Sequence, residues 1–163
     1  MHEHGVGELI VRRLGGADET AACARMMATS EPWLTLGRSF EKALEILANP
    51  AKEVWIVPGG DGPQGFVILD LHGAFSGYLQ TICVREDVRG QGLGTRLLAW
   101  SEARIFRESP NVFLCVSSFN DGARRLYERL GYVRVGVLDD YIVRGHGELL
   151  MRKTRGPWRD FTP

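Results

Sequence analysis

Arg89-Gly90-Gln91-Gly92-Leu93-Gly94 lies between an apolar run carrying Leu79, Ile82 and Val84 and the segment Thr95-Arg96-Leu97-Leu98-Ala99-Trp100. The order reads as strand, glycine-rich turn, helix. Free backbone N–H groups gather at such a helix start, where hydrogen bonds and the helix dipole stabilise an anion. Glycines let a phosphate approach the backbone without meeting a Cβ. Two common phosphate loops do not fit. The P-loop needs Lys before Ser/Thr, and here Gly94 precedes Thr95 directly. The dinucleotide fingerprint needs a further glycine three residues on, where this chain has Thr95 or Leu97. A glycine-rich helix start that binds nothing is the plain alternative.

A second motif lies downstream. Val112-Phe113-Leu114-Cys115-Val116-Ser117 reads as a buried strand, and residues 121–130 as a helix capped by Asn120 and stopped by Gly131. Ala123, Leu126, Tyr127 and Leu130 share one face of that helix.

The glycine turn fits Arg/Gln-x-x-Gly-x-Gly/Ala. The downstream segment fits Asn-x-x-Ala-x-x-Leu-Tyr-x-x-x-Gly-Phe/Tyr. Together, in this order, the chain resembles the GNAT acyl-CoA N-acyltransferases. The likeness extends from about Glu8 to Lys153, with its motifs between Leu79 and Tyr132. It implies a mixed, twisted, mostly antiparallel sheet of about seven strands, with a splayed parallel pair and helices on both faces.

The chain's own pattern agrees. Leu9-Ile10-Val11 begins a strand, and Asp18 caps a helix that Pro32 interrupts. Ser39 caps a second helix stopped by Asn49-Pro50. Strands follow at 54–57, 66–69 and 78–84, with turns at 58–63 and His72-Gly73. A helix from Gly92 to about Arg107, a strand at 112–117, a helix at 121–130 and strands at 132–138 and 148–152 complete the order. Strand–helix–strand in the later half requires a parallel crossover, whereas the earlier hairpins require antiparallel strands. With 163 residues and no repeat or linker, one domain spanning 1–163 is expected, and Trp158 to Pro163 reads as a tail.

Composition narrows the function. Hydrophobic residues make up 44% and charged residues 25%, with zero formal net charge. No global basic field exists for nucleic acid or anionic membrane, so neither partner is expected. No run approaches a membrane span, and no signal peptide is visible. Cys23, Cys83 and Cys115 are odd in number and sit in apolar or helical settings, which reads as buried free thiols of a cytoplasmic protein. His2 and His4 flank Glu3 at a frayed start, and no spacing supports a metal site.

The resemblance also implies roles. Acetyl-CoA is the expected co-substrate. Its pantetheine arm pairs with Ile82, Cys83 and Val84 in a gap between two parallel strands. Its pyrophosphate lies on Arg89, Gly90, Gln91, Gly92, Leu93, Gly94 and Thr95. Arg89 and Arg96 read equally as phosphate contacts or surface salt bridges. Asn120 caps its helix and, by the same resemblance, touches the cofactor arm. Tyr127 is the general acid that protonates the departing thiolate. From periodicity alone, Tyr127 is a core aromatic. Glu31 and Trp33, before the second helix, and Tyr141, before the last strand, form the expected acceptor walls. Trp33 reads equally as a core plug.

A base must deprotonate the acceptor ammonium, more so for a side-chain amine (pKa about 10.4) than an α-amine (about 7.7–8.0). In the ribosomal-protein N-alanine acetyltransferases, which the Pro32-Trp33 and Asp140-Tyr141 regions resemble, a Glu on the fifth strand is the base. That position here holds Cys115. Glu31, Asp70 and Glu148 are the replacement candidates. The expected activity is transfer of acetyl to a primary amine, either a protein N-terminus or a small molecule, by direct attack in a ternary complex. An antibiotic- or metabolite-modifying enzyme and a non-catalytic acyl-CoA sensor are the alternatives. Similar proteins often form homodimers.

Overall fold

The computed structural model describes residues 8–163. His2 and His4 lie outside the described residues. Seven strands form one sheet: β1 (Arg12–Arg13), β2 (Glu53–Val57), β3 (Gly65–Asp70), β4 (Tyr78–Val84), β5 (Asn111–Ser117), β6 (Val133–Leu138) and β7 (Glu148–Thr154). Their spatial order is β1-β2-β3-β4-β5-β7-β6. Every neighbouring pair is antiparallel except β4 and β5. Four helices complete the fold: α1 (Gly16–Ala28), α2 (Phe40–Leu47), α3 (Leu93–Ile105) and α4 (Asp121–Arg129). This is the expected mixed α/β architecture.

The sheet separates two apolar layers. Cys23, Ala24 and Met27 of α1 and Ala43 and Leu47 of α2 pack on Ile56, Phe66, Ile68 and Cys83. Leu93, Leu97, Leu98 and Ile105 of α3 pack on the other face, against Val67, Leu69, Leu79, Val112 and Leu114. Ala123, Tyr127 and Leu130 join that second layer. β3 is thus covered on both faces, which explains the unbroken apolar run Phe66-Val67-Ile68-Leu69.

Cap chemistry decides where the helices begin. Ser39 accepts from Lys42 N–H at 3.1 Å and Asn120 from Ala123 N–H at 3.3 Å, as the sequence predicts. Asp18 does not cap α1. The helix starts at Gly16, and Glu19 instead accepts from the N–H of Gly15 at 2.8 Å. Its longer side chain reaches back from inside the first turn, whereas Asp18 lies within that turn.

The first strand also differs. Leu9 and Val11 pack against the core as extended chain, while only Arg12 and Arg13 pair with β2. Alternating apolar residues recorded burial there, not a strand partner. In the final segment Trp158–Asp160 forms a short 3-10 turn, and Trp158 packs edge-on against Phe161.

β4 carries the irregularity that builds the site. Ile68 pairs with Thr81, but Leu69 pairs with Leu79, so Gln80 is an extra residue. A bulge shifts the alternation by one. Leu79 and Cys83 are four apart and would share a face in a regular strand. Instead Leu79 faces the α3 layer and Cys83 the α1 layer. The parallel pairing with β5 ends at the same place, covering only Tyr78 with Phe113 and Leu79 with Leu114.

Candidate active site

Beyond Leu79 and Leu114 the two parallel strands part, and a cleft of about 620 Å³ opens between them. Residues 79–84 of β4 and 114–117 of β5 line it. The edge of β4 that faces β5 therefore has no ladder partner past the bulge. Backbone N–H and C=O groups left this way need partners, and an extended amide-bearing chain supplies them. Ile82, Cys83 and Val84, predicted for this role, all line the cleft.

The glycine turn lies outside the cleft wall, with Arg89 as the link between them. Gly90 and Gly92 have φ of 77° and 80°, a left-handed backbone that disfavours any side chain. Gly92 is the N-cap of α3 and has no side chain to satisfy the first N–H groups. Those donors stay open, as an anion site at a helix start requires. Leu93 is buried in the core, so it can offer a ligand only its backbone. Gln91 and Thr95 are exposed at the same turn.

Arg89 makes two hydrogen bonds within the protein. Its Nε donates to the Val84 carbonyl at 2.9 Å and its Nη2 to Ser30 Oγ at 3.2 Å. It therefore straps the loop after α1 to the end of β4.

Tyr127 and Asn120 project from the α4 region into the same cleft. Tyr127 also packs edge-on against Tyr132, with ring centroids 5.7 Å apart. The core and cleft readings of Tyr127 both hold. Burial pushes its phenol up to about 12, so it stays protonated at neutral pH.

The three candidate bases all reach the cleft, in different states. Asp70 is held by Lys52 at 2.6 Å. Glu31 is exposed and accepts from the backbone and hydroxyl of Thr35 at 3.2 and 2.7 Å. Glu148, the first residue of β7, is 6% exposed, and its Oε2 has no partner. Burial raises its pKa, with Ser117 and His146 acting weakly in the opposite direction. A carboxylate with raised proton affinity and an open oxygen is the best equipped of the three to take a proton.

Cys115 lines the cleft half-buried rather than fully buried, and burial raises its thiol pKa. The thiol form this favours is a poor base. Burial likewise pushes Cys23 and Cys83 up to about 12. Among the described residues all three are free cysteines, and no cluster of metal ligands occurs.

Trp33 and Tyr141 line the cleft as predicted. Trp33 also packs on the α1–α2 layer. The acidic residues beside Tyr141 serve their own loop. Asp140 turns back to accept from Gly145 N–H at 2.7 Å, and neither Asp139 nor Asp140 lines the cleft. A short polar side chain at φ 52° bonds its own loop. Sequence reading missed Arg38, Phe75, Tyr78 and Gln80, which also form the walls. Tyr78 and Gln80 reach the cleft because of the bulge, which no periodicity reveals. No helix among the described residues is long and apolar enough to cross a membrane.

Residues 20–132 match the acetyltransferase (GNAT) family. The uncharacterized N-acetyltransferase YesJ of Bacillus subtilis (strain 168) is 30% identical over 99 residues, 59% of this chain and 49% of YesJ. The S-(2-succino)cysteine N-acetyltransferase of the same organism is 37% identical over 73 residues, 43% of each chain. These matches span half or less of the curated relatives' length. Among solved structures, an aminoglycoside 6'-N-acetyltransferase complexed with coenzyme A superposes with a TM-score of 0.72 at 19% identity, covering 91% of this chain and 98% of the other. The aminoglycoside 6'-N-acetyltransferase from Enterococcus faecium gives 0.69 at 20% identity, with the same coverage.

Proposed function

Because the chain belongs to the acetyltransferase (GNAT) family, we propose that it transfers the acetyl group of acetyl-CoA to the nitrogen of a primary amine. The observation that carries this reading is the opening between β4 and β5. Its one wall is an unpaired strand edge, its mouth adjoins an uncapped helix start, and Tyr127 and Glu148 lie inside. Ile82, Cys83 and Val84 would hold the pantetheine arm, and the N–H groups after Gly92 the pyrophosphate. Acetyl-CoA supplies an activated acyl group on a thiol leaving group.

The remaining chemistry is proton transfer. An acceptor ammonium must lose a proton before its nitrogen can attack the acyl carbon. Glu148 takes that proton, directly or through one water. A C–N bond forms, the C–S bond breaks, and the sulfur departs with the electron pair. Tyr127, protonated at working pH, gives the sulfur its proton, and the acylated nitrogen sheds its remaining extra proton as the intermediate collapses, to the phenolate or to solvent. Neutral phenol and buried carboxylate in one cleft favour this over a cofactor sensor without turnover.

The names of the relatives leave the acceptor open between small amines and peptides. S-(2-succino)cysteine and aminoglycosides stand on one side, and a NatC complex bound to a Gag peptide on the other. Calorimetric titration with acetyl-CoA, using ATP and NAD as controls, is the primary test. Saturable binding selective for acetyl-CoA is the expected result. Folded protein that binds none of the three removes the transferase reading.

A further inference from the structure

The residues between α1 and α2 form a closed turn. Leu36 N–H donates to the Pro32 carbonyl at 3.1 Å, and Arg38 N–H to the Trp33 carbonyl at 2.9 Å. Glu31 folds onto Thr35, and Arg89 ties the start of the turn through Ser30. Its polar groups are thus largely committed. The guanidinium of Arg38 is the exception. Arg38 lines the cleft half-buried, and among the described residues its guanidinium has no hydrogen bond or ion pair. Burial alone perturbs it, lowering its pKa.

The other cations of the cleft are occupied. Lys52 holds Asp70, and Arg89 is bonded to Val84 and Ser30. A guanidinium removed from water without a partner is costly, and its planar fork matches a carboxylate through two parallel hydrogen bonds. Anion sites for the pyrophosphate already exist at the exposed turn of residues 90–95. Arg38 lies on the cleft wall with Glu31 and Trp33 rather than at that turn, which leaves the acceptor to supply its partner. Opposite charge is also present in the cleft, at the buried Glu148.

We infer that Arg38 binds a carboxylate of the acceptor, so that the acceptor is an amino-acid-like compound carrying both a primary amine and a carboxylate. The ammonium goes towards Glu148 among Tyr78, Cys115 and Tyr141, and the carboxylate towards Arg38 beside Trp33. This rests on the acetyltransferase reading above and specifies its acceptor.

The test is a thiol-release assay with acetyl-CoA. The panel is the proteinogenic amino acids, S-carboxyalkyl cysteines and glutamate analogues, each paired with its carboxamide. We expect turnover of one or more acids, with kcat/KM about 10- to 100-fold above the matched amide. Arg38→Ala should erase that preference, mainly through KM, and leave acetyl-CoA affinity unchanged by calorimetry. Arg38→Lys, which keeps the charge without the fork, should recover part of it. Equal use of acids and amides overturns the inference, as does loss of acetyl-CoA affinity in Arg38→Ala. A protein that binds acetyl-CoA yet acetylates no acid of the panel also overturns it. Failure to bind acetyl-CoA at all instead overturns the transferase reading on which it rests.

Discussion

Tyr127 and Glu148 share one cleft, and burial raises the proton affinity of both. The consequences are opposite in role. A phenol near 12 is never short of its proton at neutral pH, so it can donate. A carboxylate whose pKa is raised by burial becomes a stronger proton acceptor. Tyr127→Phe should slow turnover by about 100-fold or more without changing the shape of the pH profile or acetyl-CoA affinity. Glu148→Gln should lower kcat/KM by about 10²–10⁴-fold and abolish the acid limb of the profile. Its stability should move the other way. A carboxyl whose folded pKa is raised favours folding most below its unfolded pKa, and that contribution is lost as pH rises through the folded pKa. The Gln variant does not titrate, so its melting temperature relative to the parent should rise with pH above the ordinary carboxylate range and the gap should narrow as pH falls. Less active yet more heat-resistant is not what damaged packing produces. A variant that loses both activity and stability would make Glu148 a structural residue.

At the scale of elements, the site depends on how β4 enters and leaves the sheet. Gly77 stands just before the strand, at φ 93°, and its carbonyl accepts from Phe113 N–H of β5 at 3.0 Å. A Cβ there would lie 2.2 Å from the Asn111 carbonyl oxygen and 2.9 Å from Ser109 Oγ. Backbone cannot give way as a flexible side chain can. Gly77→Ala should therefore cost at least about 2 kcal/mol, or a melting temperature lower by about 4–8 °C, as thermal unfolding would record. An unchanged melting temperature would mean that the parallel junction tolerates a shift. The sequence shows Gly77 as one more turn glycine, without its neighbours. The same limit explains what else could be read in advance. Capping residues Ser39 and Asn120, the strand at 66–69 and the glycine turn carry local chemistry, and all were legible. Gln80 could not be recognised as a bulge, because two-residue alternation reads the same until a partner strand imposes register. Arg38 was missed for the related reason that a cleft wall is assembled from distant elements. The bond of Asp140 to Gly145 closes a loop that the sequence alone does not show.

For the whole molecule, the cleft is where the two layers meet. The loop between α1 and α2 contributes Glu31, Trp33 and Arg38 from one side of the sheet, and α4 contributes Tyr127 from the other. β4 and β5, between them, pair at only two positions. The bare fold thus lacks ladder hydrogen bonds at its centre, where a regular sheet would have most. Acetyl-CoA running along the open edge of β4, with its pyrophosphate on the start of α3, would tie these parts together. A ligand that binds only the folded state stabilises it by about 2.7 kcal/mol at a hundred times its Kd. For a chain of this size that corresponds to a melting temperature about 5–11 °C higher. The rise should come as one cooperative transition, since both layers share the stabilised edge. Hydrogen exchange should slow in residues 80–84 and in the loop carrying Trp33, although these are far apart in sequence. Slowing confined to residues 90–95 would mean that the helix start alone holds the ligand, and that the gap between β4 and β5 is not its seat.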